Sequence, residues 1–577
     1  MGLGIWAVIS SLLWPVTNIG ALKSATEKLL EAQRSVAAEC RGLLTRSDSP
    51  EVLADLAAQE AQLVTQVGAL INPTASETYE VRSVRRSWLA LHDAALSFMH
   101  VSNRIRSAAS DFEHVDVAAV LVGLPELLDE LDARFLEARS SLGGQGTGRA
   151  CRDVPLRIDS EAMRGLDHFQ RAAVEVARTE LEALDARTRT MVAAIRVIGG
   201  QERAGSSGQA SSAFPSHSLS QPRPFDRDQL LAAFVVVASV WISALIWIYI
   251  NPPGHVTWVQ FVPTLVLAAM RNPHARFFPL RLFGYAYLVG MGVYVFVMPH
   301  LSGFVQLGAL LFIFAFLTDY YFAAGRMPMM LAMFIMFGIT NEQSYDFAGV
   351  ANNYVFTMLG IALAYALTYL AGSPRPEKKL IEQARRFFRS SEILVSQSDL
   401  SSTAIGRVIE AYHRNEVRTL PAKMGVWGTR IDTKAFPNNT PERVSALVEA
   451  LQLLSYRVED ALDARSASRD GGLVAELRQS TRAWQSIAEE SFRQWSATPE
   501  VDSSRDLRAE LSDRLAKLDA RIQELLDRAG PEEISESEGR EFYRLLGGYR
   551  GATQAALDYA DQSRRIDWAQ WREERFA

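Results

Sequence analysis

Two charged residues border a long uncharged stretch of this sequence, and they are the side chains best placed to do chemistry. No Asp, Glu, Lys or Arg occurs between Arg281 and Asp319. Charge beside such a stretch is costly and needs a partner or a function. Arg281 could bind an anion, and the Asp319 carboxylate could take up and release a proton. The structural alternatives are an anchoring charge at Arg281 and an ion pair between Asp319 and Arg326.

Three further polar residues interrupt or border the neighbouring apolar runs, namely Gln260, Arg271 and Gln306. With Arg281, they are the candidate substrate-binding residues, and Asp319 is the candidate proton-coupling residue. The residues after Arg281 include small ones that let helices approach closely, at Gly284, Ala286, Gly290 and Gly292.

Other functional classes have no support in the sequence. It contains no phosphate-binding loop, no HExxH zinc motif, no GxSxG elbow and no dinucleotide fingerprint. Cys40 and Cys151 lie far apart without a CxxC partner, so neither a metal site nor a disulfide framework is expected. The net charge of −6 does not favour nucleic-acid binding. We therefore expect no enzyme activity, no cofactor and no metal.

Six apolar runs must position these residues. The first is close to the ~20 residues that a helix needs to cross a bilayer. Six runs in succession predict an all-α, polytopic helical membrane bundle of about six spans. The uncharged N-terminal segment Met1–Leu22 resembles the final part of a further membrane helix, with a short interfacial helix as the alternative. The six runs are Leu230–Ile250, Val256–Met270, Leu282–Met298, Leu301–Thr318, Met327–Thr340 and Phe347–Ala371.

Polar regions with helical periodicity flank this membrane block. They predict two cytoplasmic helical domains, residues 23–198 and 372–577. Between the first domain and the membrane block, residues 199–228 are rich in Gly, Ser, Gln and Pro and predict a flexible linker. The remaining divisions are a partial membrane helix at 1–22 and a six-span transmembrane domain at 229–371. Predicted helices include Thr78–Ser107, Val115–Ser140, Glu161–Ile198, Thr403–Arg418 and Ser504–Ala529, with a break by Gly and Pro over Thr419–Asn439.

Basic residues predict the orientation of the spans. Lys and Arg occur after the second, fourth and sixth spans, for example Arg271, Arg326 and Arg375. The alternate loops contain neither, and the last of them carries Glu342 and Asp346. We therefore expect both helical domains to face the cytoplasm and the acidic loop to face outward.

The order of these parts resembles the fusaric acid resistance family of bacterial inner-membrane proteins, which includes efflux pumps for aromatic carboxylic acids. The resemblance covers nearly the whole chain. Each motif is only moderately specific, but their order is more so. The stretches that carry it are Leu13–Pro15, Phe261–Gly290, Phe314–Ala323 and Asp567–Phe576.

The sequence departs from the family pattern in two respects. Family members normally have a full first set of spans before the Leu13–Pro15 motif, and Leu288 stands where a Gly is expected. A truncated product, a wrongly assigned start or a half-transporter would each explain the first departure. If the two membrane halves of the family are equivalent, a homodimer would restore a full-size unit.

The resemblance implies export of small aromatic carboxylic acids or related toxic compounds across the inner membrane, coupled to protons and often assisted by a periplasmic adaptor protein. The expected partners are thus a small organic anion, the lipid bilayer, the adaptor and a second copy of the chain. Three alternatives stay open: a passive anion channel similar in layout to plant malate channels, a membrane-anchored scaffold, and a non-functional truncated pump.

Overall fold

The computed structural model describes residues 18–45, 50–112, 115–200, 226–252, 255–271, 280–322, 326–337, 339, 345–369, 375–396, 403–432, 434–467, 472–501, 509, 510, 513, 517, 520, 524 and 536–572. Most of the predicted partial membrane helix, the predicted linker and the predicted helix Ser504–Ala529 lie outside these residues. Within them the chain is almost entirely helical, and the strands are limited to an antiparallel pair, β1 (Leu121–Val122) and β2 (Arg157–Ile158). The prediction of an all-α fold is confirmed.

The chain divides into two compact units. The first, here called the helical unit, comprises Met1–Arg223, Ala384–Ala422 and Glu442–Asp567. The second, here called the membrane unit, comprises Pro224–Gln383, Lys423–Pro441 and Trp568–Ala577. The helical unit therefore takes residues from both sequence regions that were predicted as separate helical domains.

Helices before the membrane block are α1 (Asn18–Leu44), α2 (Pro50–Glu77), α3 (Tyr79–Ser83), α4 (Arg85–Ser107), α5 (Ala109–Phe112), α6 (Val117–Val120), α7 (Leu124–Leu142), α8 (Ser160–Arg164) and α9 (His168–Ile198). The membrane block contains α10 (Arg227–Ile250), α11 (Thr257–Arg271), α12 (Leu280–Phe296), a 3₁₀ turn (Met298–His300), α13 (Phe304–Tyr321), α14 (Arg326–Met336) and α15 (Phe347–Thr368). After it come α16 (Pro376–Ser396), α17 (Ala404–Gly428), α18 (Pro441–Ala467), α19 (Gly472–Ala497), α20 (Glu536–Ser563) and α21 (Trp568–Arg572).

Local backbone chemistry splits some predicted helices. The predicted helix Val115–Ser140 is interrupted at Gly123, whose φ of 93° is accessible to glycine at little cost, and Pro125 then lies in the first turn of α7. Similarly, Asp167 forms a capping box with Gln170 at the start of α9, which separates it from α8. The apolar periodicity found these helices but did not locate their ends.

The predicted break over Thr419–Asn439 begins too early, because α17 continues through Pro421 to Gly428 and only the described residues of that stretch that follow it are non-helical. Proline lacks the N–H that would bond the carbonyl four residues earlier, at Val417. The Ser455 hydroxyl of α18 donates to that carbonyl at 2.8 Å. A neighbouring helix therefore supplies the hydrogen bond that proline removes.

Partly buried ion pairs join the sequence regions on either side of the membrane block within the helical unit. Arg104 of α4 donates to Glu180 of α9 and to Asp463 of α18, each at 3.0 Å. Arg414 of α17 donates to the other oxygen of Asp463 at 2.8 Å. Nearby, Arg457 meets Asp111 at 2.5 Å. We call this set of charges the ionic seam.

The membrane unit contains the six predicted apolar helices. Within the described part of the chain, four stretches are long and apolar enough to cross a membrane by length and composition, namely Arg227–Ile250, Leu282–His300, Phe304–Tyr321 and Phe347–Thr368. The other two helices are shorter, with 15 residues in α11 and 11 in α14. Five of the six helices form a shared apolar core that includes Tyr287, Ala332 and Phe356. Helix α13 buries only Thr318 and packs against this core with partly buried side chains such as Phe314.

Candidate functional site

The buried face of α10 is partly polar. Its three buried residues are Val235, Ser239 and Ser243, which lie four positions apart and therefore on one side of the helix. Large apolar residues such as Phe234 and Trp241 are exposed instead. Apolar surface outside with hydroxyls inside is the pattern expected of a helix surrounded by lipid. It agrees with a spanning role for α10.

Helix α12 meets α14 and α15 along a seam of small residues. A Cβ atom on Gly284 would lie 3.8 Å from the Tyr354 hydroxyl of α15. On Gly290 it would lie 3.1 Å from the Met336 Cβ of α14. The predicted close approach of helices is thus confirmed at Gly290, whereas a Cβ on Gly284 would be only in ordinary van der Waals contact with side chains of α15. Ala286 is fully buried. Gly292 has open space around it and takes no part.

Two hydroxyl side chains are enclosed along this seam. Tyr287 of α12 and Thr357 of α15 are both fully buried and lie beside each other. Thr357 donates its hydroxyl hydrogen to the carbonyl of Asn353 at 2.8 Å. The Tyr287 hydroxyl makes no hydrogen bond of good geometry with the described residues, and neither does the hydroxyl of Ser243. An apolar core therefore holds polar groups with spare bonding capacity, as needed to bind a polar solute.

Sequence analysis did not single out these hydroxyls. Tyr287 lies three residues from both Gly284 and Gly290, and this spacing places all three on the small-residue face. The signal available in the sequence was therefore a tyrosine hydroxyl, that of Tyr287, on a helix face predicted to contact another helix closely. Thr357 and Ser243 carried no comparable signal in the sequence.

Of the predicted site residues, Asp319 has the clearest structural setting. Its carboxylate accepts from Arg326 at 2.9 Å, and both side chains are more than half exposed. The ion pair considered from the sequence is therefore present. Proton coupling by Asp319 stays a proposal.

The other predicted residues do not form one hydrogen-bonded cluster with Asp319 among the described residues. Gln260 is exposed on α11. Gln306 is exposed on α13, and its side-chain oxygen accepts from the backbone N–H of Ser302 at 2.7 Å, a contact that orders the start of its own helix. Arg271 ends α11 and Arg281 lies in the first turn of α12, but both side chains lie outside the part of the chain that the structure describes.

A cluster of charges fixes the entry to the first span. The Lys423 ammonium donates to both oxygens of Asp226 at 3.0 Å and to Asp228 at 2.8 Å. Burial alone lowers the pKa of Lys423, but the hydrogen bonds to the two carboxylates outweigh it and raise that pKa. Asp226 also accepts from the backbone N–H of Asp228 and so caps α10. The start of α10 is thereby tied to the segment Lys423–Pro441.

Among the described residues, no group of three or more His, Cys, Asp or Glu side chains could hold a metal ion. The arrangement found is a set of hydroxyls in an apolar helix bundle, with charges at its borders.

Comparison with known proteins gives one match. A family model described as the fusaric acid resistance protein family matches residues 1–424. No curated protein and no solved structure matches the chain significantly.

Proposed function

The chain belongs to the fusaric acid resistance protein family, a family of membrane transporters, and we propose that it exports small aromatic carboxylic acids or related toxic compounds across a bacterial inner membrane. It is a multi-pass membrane protein with a transport role. The proposal adds the substrate class, the outward direction and coupling to protons.

The buried hydroxyls of the membrane unit are the observation that carries the proposal. Tyr287 and Thr357 lie in an apolar seam, where an aromatic ring would find favourable contacts and a carboxylate would find a hydrogen-bond donor in the Tyr287 hydroxyl. Arg271 and Arg281 would attract the anion at the inner mouth, and Gln260 and Gln306 would line its path. Both helical regions would face the cytoplasm, as the distribution of Lys and Arg suggests.

The ion pair between Asp319 and Arg326 bears on the second candidate, a passive anion channel. If the pair persists through the transport cycle, flow would follow the substrate gradient alone. Asp319 couples protons only if the pair separates during the cycle.

Transport into inside-out vesicles that contain the purified chain tests both candidates. With an acidic lumen, accumulation of radiolabelled benzoate above its equilibrium distribution supports proton-coupled export. Because a weak acid distributes with pH by itself, protein-free vesicles provide the baseline. Saturable flux without accumulation would favour the channel. Absence of flux would leave a scaffold or a non-functional pump.

Tyr287→Phe tests the site, and Tyr285→Phe is the matched control. Both tyrosines lie on α12, but Tyr285 is 69% exposed while Tyr287 is fully buried. If the Tyr287 hydroxyl bonds the substrate, its loss should lower transport efficiency about fivefold to tenfold, the value of one hydrogen bond. Equal activity of the two variants would remove Tyr287 from the pathway.

The proposed partners are a second copy of the chain and a periplasmic adaptor. Vesicles that hold the chain alone test the adaptor, because full flux without it would show that it is dispensable. Crosslinking across a range of protein-to-lipid ratios tests the homodimer. A crosslinked species whose yield falls with dilution in lipid would argue against a stable pair.

A further inference from the structure

Arg430 is a cation of the membrane unit that has no acidic partner among the described residues. Its Nη1 atom is buried and makes no hydrogen bond with those residues. Burial lowers the pKa of Arg430, and no described carboxylate opposes the shift. A partly desolvated guanidinium without a counter-charge is unfavourable, so an anion that binds it would relieve this cost.

The charged groups nearest to Arg430 in the sequence have other partners. Lys423 is held by the two carboxylates at the start of α10, which raise its pKa. Asp432 is exposed and accepts from the backbone N–H of Lys434 at 3.1 Å. The same short segment therefore contains one cation with two acidic partners and one cation, Arg430, with none.

An aromatic ring holds the guanidinium in place. The backbone N–H of Arg430 donates to the carbonyl of Trp427 at 3.0 Å, which closes a turn at the end of α17. This turn brings Cζ of Arg430 to 5.5 Å from the centroid of the Trp427 ring, within the range of a cation–π contact. A guanidinium over a ring keeps its in-plane N–H donors available for the oxygens of an anion.

The pair of Arg430 and Trp427 lies close to the start of a spanning helix. Trp427 follows Lys423 by one turn of α17, a rise of about 6 Å, and lies on the same side of that helix. The polar start of a span lies in the interfacial region, which extends about 5–8 Å beyond the hydrocarbon core on each side. Tryptophan is enriched at this depth. Two apolar neighbours are also exposed, Val426 by 43% and Leu230 of α10 by 58%.

We propose that Arg430 and Trp427 form a binding site for the phosphate group of an anionic phospholipid, in the leaflet that surrounds the start of α10. The guanidinium would donate to the phosphate oxygens, and the Trp427 ring and Val426 would contact the acyl chains near the glycerol. A lipid is favoured over a soluble anion because the site lies at headgroup depth and has exposed apolar neighbours. A bound lipid would anchor the segment after α17 beside the Lys423 contacts. The site does not depend on the transported compound.

Trp427 is a native probe of this site, because acyl chains brominated near the glycerol quench tryptophan fluorescence on contact. The full chain is reconstituted in phosphatidylcholine that contains either brominated phosphatidylglycerol or brominated phosphatidylcholine. Subtraction of the Trp427→Phe signal isolates Trp427 among the 11 tryptophans. We expect brominated phosphatidylglycerol to bind about tenfold more tightly beside Trp427, the value of a charge-assisted hydrogen bond. Equal quenching by the two lipids, or quenching by neither, would overturn the inference.

Variants assign the lipid preference to Arg430. Arg430→Gln should reduce the tenfold preference to about one, and Arg430→Lys should keep part of it because lysine keeps the charge but loses the planar fork. Arg407→Gln is the matched control, since Arg407 is an exposed arginine on α17, and it should keep the full preference. A full preference in folded Arg430→Gln would overturn the inference. The comparison of the two lipids in the wild-type chain needs no change at Arg430, so the inference stays testable if Arg430→Gln does not fold.

A soluble anion distinguishes a lipid site from a substrate site. Benzoate is added to the wild-type vesicles, with chloride at the same ionic strength as the baseline. A preference for phosphatidylglycerol that persists in excess benzoate supports the lipid site. Loss of the preference in benzoate but not in chloride would show that Arg430 binds the proposed class of transported anion instead, and would overturn the inference. The measurement needs no flux, so its result stands whatever the transport assay gives.

Discussion

Replacing Glu60 with Gln should make the first part of the helical unit more stable at pH 8 than the wild-type protein. Glu60 of α2 is fully buried, and its Oε1 accepts from the Gln33 amide of α1 at 2.8 Å. Its Oε2 has no hydrogen-bond partner among the described residues. Burial raises the pKa of Glu60 to about 7 from an ordinary value of 4.5, although Gln33 and Arg106 oppose the shift.

The direction of the pH effect follows from proton linkage. Between pH 4.5 and 7 the folded state keeps a proton on Glu60 that the unfolded state has lost. Stability should therefore fall as the pH rises through this window and stay low above it. A difference of about 2.5 pKa units corresponds to about 3 kcal/mol at pH 8. Glutamine carries no titratable proton, so the Glu60→Gln variant should lack this dependence.

Hydrogen exchange of α1 and α2 amides measures the effect locally, after correction for intrinsic exchange rates. In the wild type, protection should fall by up to about 100-fold between pH 5 and pH 8, and the variant should remain protected. Glu77→Gln is the control, because exposed Glu77 on α2 accepts from the Asn18 amide at the same distance of 2.8 Å. Wild-type protection that is independent of pH, or a variant less protected than wild type at pH 8, would refute the reasoning.

Further predictions concern topology and the charges of the membrane unit. Reporter fusions at Ser206 should report cytoplasm and a tag near Tyr345 should report periplasm, and the opposite result would reverse the topology. Arg281→Ala and Asp319→Asn should each reduce benzoate export more than they reduce protein level, measured in the vesicle assay. Normal export by Arg281→Lys, with loss of insertion only in Arg281→Ala, would make Arg281 an anchor. Normal export by Asp319→Asn under a proton gradient would show that Asp319 does not couple protons. Lys423→Met should loosen the start of α10 and raise hydrogen exchange there about tenfold or more, because two carboxylates lose their partner; unchanged exchange would show that the lysine contacts are dispensable.

The sequence was sufficient to identify the membrane block. An uncharged apolar run as long as Leu230–Ile250 matches the hydrocarbon core of a bilayer, so the run itself indicates its environment. Helix ends were less predictable. The continuation of α17 through Pro421 depends on Ser455, which no local pattern connects with Val417. The contact of Lys423 with Asp226 spans 197 residues of sequence and could not be predicted either.

The candidate sites were the least predictable part. Sequence reasoning chose charged residues at span borders, because charge beside an apolar run is conspicuous. The buried hydroxyls of Tyr287 and Ser243 matter because they make no hydrogen bond of good geometry with the described residues, and only the packed structure shows this. Serine and tyrosine in an amphipathic or apolar helix are too common to be informative alone.

The ionic seam has a consequence for how the chain is made. Arg104 and Asp463 are separated by 359 residues, so at a typical synthesis rate of about 5–20 residues per second the arginine waits roughly 20–70 s for its partner to leave the ribosome. During that time the whole membrane block must be inserted. The first helices must therefore stay soluble with several cationic and acidic groups still hydrated, and these groups desolvate only when α17 and α18 arrive. Synthesis that stops before α18 would yield a chain whose first helices had never packed against α18. Such chains would be natural targets for quality-control proteases.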